Sequence, residues 1–595
     1  MKHGRVLRGS GLSILGLVVA AGACGDDRTH FPKSGGDFDL DASTPDAGQE
    51  CTHQCSLDGR SILDSCTGDL VEACPQDLAC GAAVCQEPCA AAAADRSSNG
   101  CEFYFQLPLF GDPRIPQSCL AAFIVNTSTE PAEVSLEYDG RALDLSKSLF
   151  RTNPGDASLS PVAGPIPPGE SAILFVSDRP LSAIGDSYSE HFHRPCPAGT
   201  EPALSAVIPT IATAIAPSFH LKSNKPVGTV SMYPFGGAHS FTPTAALLFP
   251  VPAWGKEHII VNGWEAVGGG SPAAQIVASE DGTEVTIVPT TAIQGTPTVP
   301  GTLAGVPVTY NLDKGQYLQL VQSEELSGSI VSSTKPTTVF GGHSCAYVPS
   351  NSGAGDVLAQ QLPPFEQWGN EYVGVAYRPR LGSESEPVPY RIVAARDGTR
   401  LDYDPHVPPG APVTMSAGEV VTFSSGTGDA FVVRTQDVDH PIYLSAYMTG
   451  GDGVGRTSYG GLGDPEWVNV VPAAQYLSSY SFYADPTFEE TSLVIVRAST
   501  RGEFKEVWLE CAGNLTDFRP IGTRGRYEFV RVDLSRNGGP GEKFGDGVCR
   551  TGLQRMRSEG PFTATLWGFD VYASYAYPGG MAQRKLVETP LGIVR

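Results

Sequence analysis

Apolar and polar positions alternate in short runs along most of this chain. Tyr317-Leu-Gln-Leu-Val321, Val420-Val-Thr-Phe423 and Tyr527-Glu-Phe-Val-Arg-Val532 each keep a period of two over one strand length, the mark of a half-buried β-strand. Each follows a glycine turn, at Lys314-Gly315, Ala417-Gly418 and Arg524-Gly525, just as Ala172-Ile-Leu-Phe-Val176 follows Pro168-Gly169. An earlier turn precedes each of these, at Asp139-Gly140, Asp281-Gly282, Asp397-Gly398 and Arg501-Gly502. Asp-Gly between alternating runs predicts hairpins, because such turns need positive φ at their centre. Kinship is plainest between residues 276–287 (IVASEDGTEVTI) and 392–402 (IVAARDGTRLD).

A second recurring pattern joins these segments. Ser223-Asn-Lys-Pro226 leads through a β-rich run to Gly236-Gly237 and then to residues 248–255 (LFPVPAWG). The order returns at Lys335-Pro336, Gly341-Gly342 and residues 361–369, and again at His440-Pro441, Gly450-Gly451 and residues 471–476. A last copy ends at Gly579-Gly580. Self-similarity of this kind means repeated architecture. The expected fold is all-β: tandem irregular repeats of about 100–140 residues forming β-sandwich-like units, with a β-propeller-like arrangement as the alternative. Each unit is expected to open on an apolar, Pro-containing strand, such as residues 105–108, 248–254, 362–368 or 468–472.

Composition agrees with this and adds an address. Gly (68) and Pro (49) are abundant and only 17% of residues are charged, which favours turn-rich β structure over helices. The formal net charge of -24 disfavours nucleic acid as a partner. Lys2, Arg5 and Arg8 precede a short apolar run at residues 12–21, and Ala21-Gly-Ala-Cys24 follows. That is an export signal too short for a spanning helix. Its end resembles a bacterial lipobox with Ala in place of the usual Leu, so Cys24 is the expected lipidation site. The organisation expected is a signal peptide (1–23), a lipidated cysteine with a disordered acidic linker (24–50), a Cys-rich disulfide module (51–102), four β-repeats (103–245, 246–355, 356–464 and 465–583) and a tail (584–595).

Cysteine usage supports export. Cys51, Cys55, Cys66, Cys74, Cys80, Cys85, Cys89 and Cys101 crowd into one short stretch, as in modules stapled by disulfides because their cores are too small. Eight cysteines allow 105 connectivities. Further along, Cys119 with Cys196 and Cys511 with Cys549 would each tie an insertion to its sheet, leaving Cys345 as the odd one. Candidate chemistry is sparse. His191-Phe-His193 places two imidazoles on one face of an extended segment, two of the ligands a zinc site needs. His343 and Cys345 juxtapose an imidazole and a thiol, as nucleophilic catalysis would. Trp254, Trp368 and Trp467 could stack on sugars, or anchor the seams between repeats. No catalytic elbow, zinc-protease, phosphate-loop or dinucleotide motif is present in the sequence, and no cofactor is expected.

The succession "IVASEDGTEVTI", "DKGQYLQL", "SSTKPTTVFGG" and "LPPFEQWGNEY" resembles the IgG-Fc-binding protein N-terminal domain family over residues 103–583. The Cys-rich module and lipoprotein signal are similar to those of secreted myxobacterial lipoproteins. The resemblance implies a binding surface and carries over no catalytic residues. The function expected is therefore that of a non-enzymatic lipid-anchored protein of the outer membrane or cell surface, presenting a rigid β head for adhesion or for capture of an extracellular protein or glycan. A polymer-degrading extracellular hydrolase and a structural envelope protein are the alternatives.

Overall fold

The computed structural model describes residues 52–56, 59–112, 115–183, 192–209, 212–240, 242–453 and 458–591. Cys24, Cys51 and His191 lie outside them. Strands dominate the regular structure of the described residues, in which one helix, Pro88–Asp95, has more than a single turn. Proline at its start suits the first helical turn, where the missing N–H has no partner to lose.

Four sandwich-like units follow the Cys-rich module. Three are each built around one very long strand: Phe219–Tyr233, Ile330–Ala346 and Gly552–Asp570. Each long strand carries a proline part way along, at Pro226, Pro336 and Pro561. Proline cannot donate to a ladder, and pairing shifts register near it, between Lys222 and Val227 in the first unit. The strand bends there and serves both layers of its sandwich. In the third unit the strand breaks outright before Pro441 into Phe431–Thr435 and Ile442–Met448, and two separate four-stranded sheets result.

The expected turns form, with positive φ at Gly140, Gly282, Gly398 and Gly502, but three of them do not join strands that pair with each other. Pro272–Ala278 and Thr283–Val288, on either side of Asp281-Gly282, do not pair with each other; each pairs with the long strand. The same holds around Asp397-Gly398, whose flanking strands lie in different sheets, and around Arg501-Gly502. These turns carry the chain from one layer to the other. Asp139-Gly140 joins two paired strands, Val134–Tyr138 and Arg141–Ala142, so it is not the counterpart of the others, of which Arg501-Gly502 closes a single antiparallel bridge between Thr500 and Glu503. Asp-Gly dictates the turn and leaves open which strand the chain pairs with next.

The Pro-containing stretches expected as opening strands are also different. The last three lead into a single 3-10 turn, Val251–Ala253, Phe365–Gln367 or Ala473–Gln475, before the next unit's strand begins, whereas residues 106–108 follow a strand without one. Just ahead of each turn lies a short inner strand: Thr244–Leu247, Asp356–Leu362, Glu466–Asn469 and, in the last unit, Ala573–Pro578. Each inner strand packs on the next and the fourth packs on the first, so the four units close a ring about a common axis. The propeller-like element of the expectation lies in this arrangement of sandwiches.

Close backbone approach interlocks the ring. A Cβ on Gly100 would lie 2.3 Å from Pro250, one on Gly255 2.5 Å from Pro364, and one on Gly369 2.4 Å from Pro472. The last unit has Leu477 in the glycine position and Gly580 in the proline position. Glutamine amides run along the same seams: Gln367 donates to the Ala253 carbonyl (2.7 Å) and Gln475 to that of Gln367 (3.2 Å). The two ends of the chain meet at the closing seam, where the amides of Ser98 and Gln583 donate to the carbonyls of Met581 and Arg96. Neighbouring units also exchange segments, since Ala214–Pro217 adds an edge to the second unit's sheet by pairing with Gln316–Val321.

Disulfides join Cys55 to Cys80, Cys74 to Cys85 and Cys89 to Cys101 within the N-terminal module. Cys119–Cys196 and Cys511–Cys549 tie insertions to the first and last units.

Candidate functional site

The ring axis concentrates the polar chemistry. Gln360 rises from the second inner strand and donates its Nε2 to the carbonyls of Ala245 (2.7 Å), Trp467 (3.0 Å) and Ala576 (3.3 Å), one on each of the other three inner strands. Glu466 answers it with the opposite polarity. Its Oε1 accepts the Trp467 amide at 2.8 Å and the Thr244 hydroxyl at 3.4 Å, while Oε2 is buried with no hydrogen-bond partner. One side chain thus satisfies inward carbonyls and another accepts an inward amide, as buried backbone groups require.

Two further carboxyls stand beside them. Asp356 and Asp464 occupy equivalent places just before the Gln360 and Trp467 segments, each after a glycine-rich approach. Both are buried, at 0% and 2% exposure. Desolvation by burial pushes Asp356 well above the usual carboxylate range, and the neighbouring Asp464 and Glu466 push it the same way. Burial likewise raises Asp464 and Glu466, against the opposing pull of Arg380 on the former. Asp485, at the inner edge of the last unit, is raised by burial to about 6. Nothing in single-sequence patterning singled these groups out. Aligning the repeats on their seams would have placed Asp356 over Asp464 and suggested that they meet.

The residues singled out from sequence have other roles. Both ring nitrogens of His343 are engaged: Nε2 lies 3.0 Å from the Glu265 carbonyl, and Nδ1 accepts the Cys345 amide at 3.1 Å. The imidazole therefore offers its neighbour's thiol no base, and both residues are buried. His193 lies 3.0 Å from the Asp178 carboxylate, whose other oxygen accepts the Cys196 amide; this braces the insertion beside its disulfide. Among the described residues no group of three or more His, Cys, Asp or Glu could hold a metal ion. Trp254, Trp368 and Trp467 are all buried. The first two donate to the Phe249 and Pro363 carbonyls at matching seam positions, which makes them seam anchors.

The exterior carries shallow clefts. One of about 250 Å³, between the third and fourth units, is lined by Arg519, Phe529, Arg531, Phe544 and Glu384. The Arg519 and Arg531 guanidiniums lie 4.5 and 5.2 Å from the Phe529 ring. They share the half-exposed Glu384, with N–O distances of 2.7 and 3.6 Å. Burial and the nearby Arg519 lower Arg531 to about 10. A second cleft, of about 280 Å³, separates the Gly155 loop of the first unit from Arg550 and Glu489 of the last.

Residues 244–568 match the family model described as IgGFc binding protein, a span from the first inner strand almost to the last. A human IgGFc-binding protein is 28% identical over 263 residues, which are 43% of this chain and 4% of that protein. The chain thus spans only a small fraction of that relative's length. With the match covering more than half of its length and embracing the interlocked core, the chain belongs to the IgGFc binding protein family.

Proposed function

We propose that this chain is a non-enzymatic exported protein, held to a membrane by lipid on Cys24, whose ring binds an extracellular protein or glycan. Family membership supports the binding role, and the disulfides fit an oxidising, extracellular setting. The observation that carries the reading further is the cleft of Arg519, Phe529 and Arg531. Arginine and aromatic side chains dominate the energetics of protein recognition sites, and here the exposed Arg519 fronts a partly open groove, while Phe529 and Arg531, both largely buried, form its floor. The buried carboxyls of the axis are sealed from solvent, so they support no hydrolase reading. The human relative's name assigns it immunoglobulin Fc; for this chain the corresponding partner class is an extracellular protein, with surface glycan as the second member.

The test is a binding titration of the mature chain on immobilised immunoglobulin Fc and on a glycan array. Saturable binding to either, weakened at least tenfold by Arg519→Ala with an unchanged melting temperature, is the expected result. Fractionation of the expressing cell supplies the address: the native chain should partition with membranes and the Cys24→Ala variant should not.

A further inference from the structure

We propose that Asp356, Asp464 and Glu466 form a proton-operated lock on the ring, closing the seam between the second and third units when neutral and loosening it when ionised. The inference rests on placement. Asp356 and Asp464 come from adjacent units at equivalent positions, and Glu466 reaches the axis two residues beyond Asp464. Asp356 Oδ2 and Asp464 Oδ1 are buried with no hydrogen-bond partner, although the other oxygen of Asp356 accepts the Val357 amide at 2.6 Å. A buried oxygen left without a donor fits a carboxylic acid better than a carboxylate.

The surrounding charges point the same way. Asp356 faces Asp464, Glu466 and Cys345. Asp464 faces Asp452 and Arg380. Arg380, which acts on Asp464, is already committed to Glu386 (2.7 Å), the Thr449 carbonyl (2.7 Å) and the Leu462 carbonyl (2.9 Å), with Tyr459 stacked 3.6 Å from it. Asp452 accepts the Tyr572 hydroxyl at 2.7 Å. From the fourth unit Ser574 bonds the backbone of Asp464, and from the first Thr244 bonds Glu466. Three buried acids, Asp356, Asp464 and Glu466, therefore confront one guanidinium that is already paired with Glu386, and like charges in a dry interior cannot all ionise.

The sign follows from linkage. Carboxyls that hold their protons in the folded ring but lose them on unfolding make the folded state bind more protons, so stability falls as pH rises above the ordinary carboxylate range. Each such proton changes the folding equilibrium constant by about tenfold per pH unit until the folded carboxyl itself ionises. Asp485 adds a slope of its own up to about pH 6, so the decisive quantity is the difference between variants.

Denaturant midpoints of the mature chain and of D356N/D464N, taken from pH 4 to pH 9, test the lock. The native midpoint should fall with rising pH while the variant's falls less, and the native profile should recover that difference when the pH is returned. Parallel profiles would overturn the proposal. Should D356N/D464N fail to fold, Glu466→Gln alone provides the comparison, with the same expected convergence at low pH and divergence at high pH.

Discussion

At the residue scale, the chain places its most consequential polar side chains where no water can reach them. The two N–H bonds of the Gln360 amide are shared among three carbonyls. Truncating it to alanine would strand three carbonyls from three units, and stranded buried acceptors cost far more than the net value of a made bond. Gln360→Ala should lower stability by about 3 kcal/mol, read as a shift in urea midpoint with the m-value unchanged. A shift no larger than that of an exposed substitution would mean that the axis relaxes around the gap. The sequence does not announce this role. A buried glutamine and a surface one look alike until partners are known, whereas Trp368 and Trp254 could be paired as seam anchors because they recur at the same repeat position.

Among elements, the recurring unit is a seam rather than a sheet. An inner strand runs into a single 3-10 turn and on into the next unit's first strand, with a glycine of one seam under a proline of the next. Gly369→Ala puts a Cβ 2.4 Å from the Pro472 ring, inside any tolerated contact. We expect a loss of about 1–3 kcal/mol from the forced shift, measured by thermal melting, while Gly228→Ala, whose Cβ would meet a side-chain oxygen at 3.1 Å, should cost less. The repeats and the turns were legible, since glycine at Asp281-Gly282 or Lys314-Gly315 has a conformational reason to be there. Which strands pair was not. Ile276 and Val285 look like the two arms of a hairpin by pattern alone, yet both face the long strand at Val339 and Ser333. Pairing is decided by a partner more than forty residues away, and local alternation carries no information about it.

Viewed as a whole molecule, the four units cannot be separated without breaking the axis, the seams and the exchanged edge strand together. The N-terminal module and the C-terminal segment also reach the turn that follows the second inner strand: Arg96 pairs with Glu366 at 2.8 Å, and the amides of Leu586 and Val587 donate to the Glu366 carbonyl. A head of this kind presents a fixed surface to a partner, which suits preorganised binding. The claim that the units form one closed body is the ground for both the binding role and the proton lock. Hydrogen exchange read by mass spectrometry through a denaturant series tests it most directly, because cooperative units open together. The inner strands Thr244–Leu247, Asp356–Leu362, Glu466–Asn469 and Ala573–Pro578 should lose protection in one step at one denaturant concentration. Stepwise loss, with one unit's inner strand exchanging while its neighbours remain protected, would contradict the ring.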